Sequence, residues 1–445
     1  MSAPTILWFR RDLRLRDHPA LEAAAKKGPV TPLFVLDDLL LRTNEGPRTA
    51  FMLRTLRALD QDLRTQGGRL TVLSGRPQDV LPRLVAQIGA SEVHISEDFA
   101  PYGRARDQQV EKALGQVPLV RTGSPYAVSP GQVVKSDGTP FKVFSPFYRA
   151  WSERGWHSPS TSDPAKIDWH PLNGMDIPAD PPASADLFEA GEAAAQRTWK
   201  AFQENDLRRY TKERNRPDLD SSSHMSPHLK FGAIHPRTML SDLGNSDDAY
   251  QRQLCWREFY AAVLHFWPKS AYEYFQPQLE KMKFDTGPKA DERFAAWQRG
   301  ETGFPIVDAG MRQLQQIGWM HNRLRLVVAS FLVKDLHIDW RRGAKHFMGH
   351  LVDGDLANNQ HGWQWTAGTG TDPAPFFRIF NPTLQAKKFD PNGDYVRRYV
   401  PELKSLSADE IHEPWKLAAP PADYPAPIVD HDAERKESLA RYEAL

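Results

Sequence analysis

DGDLANNQHGWQW, residues Asp353–Trp365, carries two carboxylates, two adjacent amides, a histidine and two tryptophans in thirteen residues. Polar side chains that are buried in a folded protein need hydrogen-bond partners, so this run is not ordinary core sequence. One interpretation is the lining of a polar pocket with an aromatic wall, which suits a flat heteroaromatic ligand. The other is a surface turn followed by a helix whose tryptophans belong to the core.

Outward from this stretch, apolar residues recur at helical spacing from about Gly191 to about residue 380, between Pro/Gly turns. Helices are predicted at Glu192–Tyr210, Asp248–Phe266, Asp291–Arg299, Asp308–Ile317, His321–Leu332 and Trp340–His350, with a charged helix at Asp432–Ala444. The pattern predicts an all-α C-terminal domain over residues 191–445.

The first 128 residues instead alternate between short β-rich runs and helical patterns, which predicts a doubly wound parallel sheet. The strands are predicted at Thr5–Phe9, Pro32–Leu36, Leu70–Ser74, Val93–Ser96 and Leu119–Arg121, and the helices at Asp17–Lys27, Arg48–Gln66, Gln78–Ile88 and Arg104–Leu114. The loop after the first strand lacks glycine, so the dinucleotide fingerprint of such folds is absent. Residues 129–190 are rich in proline, glycine and serine and are predicted to form an interdomain linker, with one short helix near Pro146–Glu153.

Composition places the chain among globular proteins: it has 445 residues, of which 40% are hydrophobic and 25% charged. No apolar run approaches the about 18 residues that span a bilayer, and no signal pattern opens the chain, so we expect a cytoplasmic protein. The single cysteine, Cys255, excludes an internal disulfide. Asp353 and Asp355 lack the later ligands of a calcium loop, and the histidines lack zinc spacing, so no metal site is expected.

Net charge is +1, so any nucleic-acid contact must come from a local patch. Residues 311–345 carry seven Lys/Arg against two Asp, which makes them a candidate, although a solvated basic helix face gives the same pattern. Trp256 and Arg257 are adjacent in a helical run, where an indole can stack on a base and a guanidinium can reach a phosphate. The serines at 221–226 precede a helical stretch and are candidates for a diphosphate site. The arginines of residues 10–16 favour an ion-paired network over anion binding.

Taken together, these motifs resemble the DNA photolyase/cryptochrome family, with the nearest resemblance to class I-like cyclobutane pyrimidine dimer photolyases. The matching motifs, in the family's order, are LWFRRDLRLRDHPAL, the serine-rich loop, WREFY, GFPIVDAGMRQL, GWMHNRLR, FLVKDLHIDWRRG, DGDLANNQHGWQW and TDPAPFFRIFNPTLQAKKFDPNGDYVRRYVPEL. The resemblance implies an α/β antenna domain and an all-α domain that binds FAD. The implied reaction is light-driven: excited reduced flavin passes an electron to the dimer, its two ring bonds break, and the electron returns.

The resemblance assigns roles residue by residue. The FAD pocket would use Tyr210, Ser222, Ser223, His224, Met225, Ser226, Asn322, Arg325, Asp353, Asp355 and Asn359. Arg325 is expected to pair with Asp353, and the Asn359 amide to face the flavin N5 edge. The flipped-out dimer would lie against Trp256 and Trp365, with Gln253, Asn322 and Asn359 as further catalytic positions. DNA contacts are expected from Arg214, Gln253, Trp256, Arg257, Arg323, Leu326, Trp365, Arg378 and Lys388.

Several positions depart from the family pattern. Gln253 stands where dimer-specific members have glutamate, and Leu326 where they have methionine. The (6-4) photolyases have histidines at the positions of Asn322 and Leu326, so (6-4) repair is disfavoured. Trp363 and Trp340 match the inner tryptophans of the photoreduction chain, but its surface tryptophan is missing, and the nearest aromatic residue is Phe284.

Two further expectations concern the antenna and the partners. Tyr102 and Gly103 stand where folate-binding members have Asn-Glu, so a deazaflavin or flavin antenna, or none, is expected rather than folate. UV-damaged DNA is the expected partner, with no membrane, no obligate protein partner and a monomeric state. The chain lacks the long C-terminal extension that signalling cryptochromes often carry, which favours repair over a blue-light photoreceptor.

Overall fold

The computed structural model describes residues 2–42, 46–161, 163–182, 187–373, 375 and 378–445, apart from the Arg42 side chain. The chain divides into two compact units. The sheet unit comprises the described parts of residues 1–183, 187–205 and 223–268, and the helical unit comprises residues 206–222 and 269–445.

Five parallel strands form one sheet in the order β3-β2-β1-β4-β5. The strands are β1 Thr5–Phe9, β2 Val30–Leu36, β3 Thr71–Ser74, β4 Glu92–Ile95 and β5 Leu119–Arg121. All residues of β1 and β2 are buried, as expected for strands covered on both faces. Each predicted strand is confirmed, with ends that differ by at most two residues.

Nineteen α-helices lie in the described part of the chain. They are α1 Pro19–Ala25, α2 Asp38–Arg42, α3 Pro47–Thr65, α4 Pro77–Ile88, α5 Pro101–Leu114, α6 Phe144–Arg154, α7 Glu192–Asn205, α8 Tyr210–Glu213, α9 Ser226–Phe231, α10 Pro236–Ser241, α11 Asp248–Phe266, α12 Pro288–Arg299, α13 Pro305–Ile317, α14 Asn322–Ser330, α15 Trp340–His350, α16 Leu356–Ala367, α17 Pro382–Phe389, α18 Asp394–Tyr399 and α19 His431–Glu443. A π-helical turn, Phe331–Asp335, continues α14. Helices α1 to α7 and α9 to α11 belong to the sheet unit, and the others to the helical unit.

The loop after β1 is ion-paired, as its sequence predicts. Arg10 bonds Asp107 at 2.9 Å, and Arg14 donates to the Gly232 carbonyl oxygen at 3.1 Å. The Asp17 carboxylate accepts from Arg237 at 2.5 Å. Because these charged groups are buried and paired with one another, the loop is a structural element of the sheet unit.

The core of the helical unit is unusually rich in tryptophan. Trp297 and Trp340 are 0% exposed and Trp363 is 3% exposed, and all three belong to one cluster with Phe331 and Phe347. No helix in the described ranges has the length and apolar character that crossing a membrane requires.

Candidate functional site

The stretch at Asp353–Trp365 forms the turn before α16 and most of that helix. The Asp355 carboxylate caps the helix by accepting from the Asn358 backbone N–H at 3.1 Å and from its side-chain amide at 2.8 Å. The Asn359 side-chain nitrogen donates to the Ala344 carbonyl oxygen at 3.0 Å and to Gln360 Oε1 at 2.8 Å. Both amide hydrogens are therefore used inside the protein, and the carbonyl oxygen is the group that Asn359 retains for a ligand.

Three other polar side chains of this stretch, Gln360, His361 and Gln364, have hydrogen-bond partners within the helical unit. Gln360 donates to the Ala271 carbonyl oxygen at 2.5 Å, and His361 Nε2 lies 2.8 Å from the Ser270 hydroxyl. Gln364 donates to the Ser270 carbonyl oxygen at 2.8 Å. Burial lowers the pKa of His361 to about 4, so its ring is neutral. These residues attach α16 to the segment around Ser270.

The predicted pairing of Arg325 with Asp353 is confirmed. Arg325 donates to Asp353 Oδ2 at 2.8 Å and to the Met320 carbonyl oxygen at 2.9 Å. Asp353 is buried, and its second oxygen, Oδ1, has no hydrogen-bond partner among the described residues. A buried carboxylate oxygen without a donor is costly, so this site is suited to a ligand that presents an N–H or O–H group. Asn322 lies exposed at the first turn of α14.

The serine-rich loop lies where the chain enters α9. Ser226 begins that helix, and the Ser223 hydroxyl accepts from the Tyr250 hydroxyl at 2.9 Å. His224 has a φ of 51°, in the left-handed region, and Met225 is buried. Ser222 is half-buried. The helix that follows the serines is as predicted, whereas the assignment of the loop to a diphosphate stays a prediction.

Tyr210 begins α8 in the helical unit and is half-buried. The Arg214 guanidinium lies 5.6 Å from the centre of its ring. Burial raises the pKa of the Tyr210 phenol, so it stays a neutral hydrogen-bond donor at physiological pH.

Gln253 and Trp256 lie one turn apart on α11, so they share a face of that helix. Trp256 is half-buried, and the Phe144 ring stacks on it with centroids 3.7 Å apart and planes 7° apart. Gln253 donates from its side-chain nitrogen to the Ala249 carbonyl oxygen at 3.2 Å, which leaves Oε1 for a ligand. One face of the indole is thus covered by the protein itself.

Arg257 holds the backbone of the sheet unit. Its two terminal nitrogens donate to the carbonyl oxygens of Pro125 at 2.9 Å and Leu229 at 3.2 Å. Its predicted DNA contact stays a prediction, and the structure gives it this anchoring role as well.

Glu258 is a structural residue that the sequence reading missed. It is buried and accepts from the backbone N–H groups of Ala127 and Val128 and from the Trp151 indole, at 2.5, 3.0 and 2.7 Å. Burial raises the pKa of its carboxyl to about 7. The only sequence signal was a glutamate inside an otherwise aromatic helix.

Four predicted DNA-binding cations lie in the helical unit, two of them beside Phe389. Arg323 lies 4.5 Å and the Lys388 amine 5.3 Å from the centre of the Phe389 ring. Burial, and then the charges of Arg214 and Arg378, lower the pKa of Arg323, so these guanidinium groups lie within electrostatic range of one another. A cluster of like charges of this kind favours a polyanion as its ligand. We call Arg214, Arg323, Arg378 and Lys388 the basic cluster.

The remaining predicted residues of the helical unit fall into two groups. Trp363 and Trp340 are core residues, and the six-membered ring of Trp363 lies against Gly343, where an added Cβ would be 2.2 Å from Cη2. Trp365 and Leu326 are half-buried, on α16 and α14.

The residues of the antenna motif make charged and aromatic contacts within the sheet unit. The Tyr102 hydroxyl donates to Asp37, at the end of β2. The Arg106 guanidinium bonds Asp107 at 2.8 Å and lies 5.0 Å from the centre of the Trp8 ring. None of these contacts tests which antenna, if any, is bound.

A parallel-sheet unit joined in one chain to a helical unit defines a class of proteins with one α/β part and one all-α part, and here an amide begins α14 and an acidic side chain caps α16. Family models agree with this class: the DNA photolyase model matches residues 5–165, and the model of the FAD binding domain of DNA photolyase matches residues 250–444. The chain belongs to the DNA photolyase family.

Individual relatives extend the similarity over the whole chain. A deoxyribodipyrimidine photo-lyase of Streptomyces griseus is 40% identical, over 100% of this chain and 99% of its own. The crystal structure of a class III photolyase from Agrobacterium tumefaciens has a TM-score of 0.92 and 35% identity, over 100% of this chain and 98% of its own.

Two further solved structures share the fold at lower identity. An archaeal photolyase from Sulfolobus tokodaii, crystallised with two FAD molecules, has a TM-score of 0.88 and 29% identity, over 99% of this chain and 100% of its own. A cryptochrome from Synechocystis has a TM-score of 0.89 and 27% identity, over 99% of both chains.

Proposed function

We propose that this protein is a deoxyribodipyrimidine photo-lyase, which uses FAD and blue light to split cyclobutane pyrimidine dimers in UV-damaged DNA. Full-length similarity to enzymes of that name supports the activity. The observation that carries the cofactor proposal is the Arg325–Asp353 pair. Asp353 Oδ1 is buried and has no hydrogen-bond donor among the described residues. When bound and reduced, FAD supplies a light-driven electron donor.

The cofactor is held, in this proposal, by residues of the helical unit at the starts of α14 and α16. Arg325 fixes Asp353 so that one carboxylate oxygen can accept from the cofactor. The Asn359 carbonyl is fixed in orientation because its amide nitrogen is bonded on both sides. Such preformed partners orient a ligand without an ordering cost on binding. Tyr210, Asn322 and Asp355 are further proposed cofactor contacts of the same unit. The family resemblance adds Ser222–Ser226 as proposed contacts of the diphosphate.

The substrate is held by two kinds of side chain. Trp256, backed by Phe144, offers one indole face on which a flipped-out pyrimidine pair can stack. In the helical unit, Trp365 is a second proposed stacking residue. Gln253 Oε1 can accept from a thymine N–H. The basic cluster neutralises phosphates of the DNA backbone on either side of the lesion.

Domain organisation and cellular context are part of the same proposal. Residues 1–128 form the antenna domain, 129–190 the linker and 191–445 the catalytic domain, in a cytoplasmic monomer that needs no protein partner for repair. The antenna, if bound, is of the deazaflavin or flavin type. The archaeal structure with two FAD molecules supports the flavin option.

Repair under light tests the proposal directly. The purified protein is reduced chemically, mixed with an oligonucleotide that carries one cyclobutane dimer, and split between blue light and darkness. Restoration of the intact pyrimidines under light alone is the expected result. A flavin-loaded protein that repairs neither this substrate nor a (6-4) photoproduct would be a photoreceptor of the cryptochrome kind, and one that repairs only the (6-4) product would contradict the substrate assignment.

A further inference from the structure

We propose that Tyr274 is the terminal electron donor of the aromatic relay in the helical unit, and that Asp339 accepts its proton. The inference rests on the proposed function, because the relay needs a light-driven oxidant, oxidised flavin, at its inner end. It also names a residue that takes the role of the expected surface tryptophan, which the sequence lacks.

The geometry places Tyr274 next to Trp340. Their ring centroids are 6.0 Å apart at an interplanar angle of 74°, an edge-to-face contact inside the core. Trp340 begins α15, and Trp363 lies against Gly343, three residues further along that helix. The three oxidisable rings therefore lie in one buried cluster, on α16, on α15 and on the segment before α12.

A second route leaves Trp363 through Trp297, and among the described residues the groups that contact Trp297 are poor proton acceptors. Trp297 lies 6.1 Å from Trp363, yet its indole N–H donates to the Val328 carbonyl oxygen at 3.0 Å, and an amide oxygen is a very weak base. Beyond it lie Phe294, which is hard to oxidise, and His346. Burial, and then His350, lower the pKa of His346 to about 3, so this imidazole is also a poor base. An oxidised Trp297 would therefore keep its positive charge and take an electron back from Trp363.

Tyr274, in contrast, is already bonded to a base. Its hydroxyl donates to Asp339 Oδ2 at 3.1 Å, and that carboxylate is 19% exposed, so a proton received there can pass to water. Burial, and then the Asp339 charge, raise the pKa of the phenol, which keeps it protonated until it is oxidised. Asp339 is held by Arg341, whose guanidinium bonds it and lies 5.1 Å from the tyrosine ring.

The step balances within these three residues. Tyr274 gives one electron to the oxidised indole of Trp340, its O–H bond breaks, and the proton forms a new O–H bond on Asp339. Trp340 is restored, Tyr274 becomes a neutral phenoxyl radical, and Asp339 becomes neutral. A thiol in solution then returns one hydrogen atom to the phenoxyl oxygen. Proton loss is what prevents the electron from coming back.

The segment that carries Tyr274 is fixed in place by α16 and the turn after it. Gln364 Oε1 accepts from the Phe275 backbone N–H at 2.9 Å, and the Gln276 backbone N–H donates to the Thr369 carbonyl oxygen at 3.1 Å. A donor whose next two residues are both held by hydrogen bonds keeps a constant distance to Trp340, which efficient electron transfer requires.

The test uses the FAD-loaded protein and three variants. Tyr274→Phe removes the O–H, Tyr272→Phe removes a hydroxyl on a 66% exposed ring two residues away, and Asp339→Asn removes the base but keeps a residue that caps α15 well. Flash illumination of oxidised protein is followed by electron paramagnetic resonance and, with thiol present, by the rate of flavin reduction. We expect a phenoxyl signal in wild type and Tyr272→Phe, none in Tyr274→Phe, and about tenfold slower reduction in Tyr274→Phe and Asp339→Asn.

Other outcomes separate the inference from the proposed function. A phenoxyl signal that persists in Tyr274→Phe, or that is absent from wild type, overturns the inference. Trp363→Phe should abolish both the signal and the flavin reduction. Chemically reduced Tyr274→Phe should repair dimers at the wild-type rate, because repair by reduced flavin does not use the relay. Wild type that forms the radical but repairs nothing contradicts the proposed function and leaves the relay assignment standing.

Discussion

At the scale of single residues, Asp353 has one carboxylate oxygen that can accept a hydrogen bond from a ligand. Glu258, a structural carboxylate of the sheet unit, instead has both oxygens bonded within the protein. Asp353 bonds Arg325 through one oxygen and leaves the other buried without a donor among the described residues. Asp353 Oδ1 is therefore the atom of this pair that we propose accepts from the cofactor.

Asp353→Asn should weaken FAD binding by about 2 kcal/mol, or about 30-fold. The amide loses the charge that Arg325 pairs with and presents a donor in place of one acceptor. Flavin retained after dialysis, measured by absorbance, checks this. Asp394→Asn is a matched control, because that aspartate is 56% exposed and pairs with Arg397 in the same unit. Equal flavin content in the two variants would remove Asp353 from the site.

Gln253→Glu should accelerate repair about fivefold, because a carboxylate strengthens a bond to a substrate N–H by about 1 kcal/mol. The side chain is half-buried on the Trp256 face of α11, and the substitution gives up only the bond from its amide to Ala249. Single-turnover repair under saturating light measures the change. An unchanged rate would mean that this position does not contact the dimer.

Hydrogen-bond partners that both belong to the family motifs were predicted from the sequence, whereas partners far apart in the chain were not. The pairing of Arg325 with Asp353 followed from the family motifs. The roles of Gln360, His361 and Gln364 did not, because their partners at Ser270–Phe275 lie about ninety positions earlier. A polar side chain in a buried helix indicates that a hydrogen-bond partner is required, but the sequence does not show which residue provides it.

At the scale of elements, the packing of α6 on α11 decides which face of Trp256 is available. Phe144 covers one face at 3.7 Å, and the same helix contributes Trp151, whose indole N–H bonds Glu258 on α11. The contact fixes the indole before any ligand arrives, so binding does not have to order it.

Phe144→Ala should weaken binding of dimer-containing DNA by about 1 kcal/mol, or about fivefold, because it removes an aromatic pair and frees the indole to rotate. Phe144→Tyr keeps the ring and should bind like wild type. Titration monitored by fluorescence anisotropy gives both constants, with undamaged DNA as reference. If the alanine variant binds as tightly as the tyrosine variant, the stack has no part in recognition.

The predicted helices match the structure best where the apolar periodicity of the sequence continues over several turns. The helices predicted at Asp248–Phe266 and Trp340–His350 coincide with α11 and α15 to the residue. The helices that were not predicted include α10 and α18, of six residues each, which are too short to show a repeat. The prediction for His321–Leu332 merged α14 with the π turn, because the apolar run continues through both.

At the scale of the whole molecule, charge is balanced overall and concentrated locally. The net charge of +1 gives no general attraction to DNA, so the basic cluster must provide it. Arg378 is also held in place from within, since the buried Lys334 amine donates to its carbonyl oxygen at 3.1 Å.

Lys388→Gln should weaken DNA binding equally for damaged and undamaged duplexes and lower the slope of log Kd against log salt concentration by about one. Binding measured at several salt concentrations gives the slope. Lys416→Gln is the control, because that amine is 66% exposed and bonds Glu413 at 2.6 Å. A slope unchanged by Lys388→Gln would mean that this amine meets no phosphate.

The division of the chain into compact units was not evident from composition. The sequence suggested a single boundary region near residues 129–190, whereas the compact units interleave, with α7 and α9 to α11 in the sheet unit. Amphipathic periodicity shows that a helix buries one face and cannot show against what. Glu192 bonds the backbone of Leu15 and Arg237 bonds Asp17, and these contacts attach α7 and α10 to the sheet unit.

The attachment of α16 to the segment around Ser270 has a consequence for slow opening of the protein. Amide protons of the Asn359 turn and of the Tyr274 segment should exchange with deuterium in a single cooperative event, because neither can detach while Gln360 and Gln364 bridge them. Ligand that protects one should protect the other to the same extent. On heating, cofactor binding and photoreduction of the flavin through Tyr274 would then be lost together, because the two segments would unfold as one local unit.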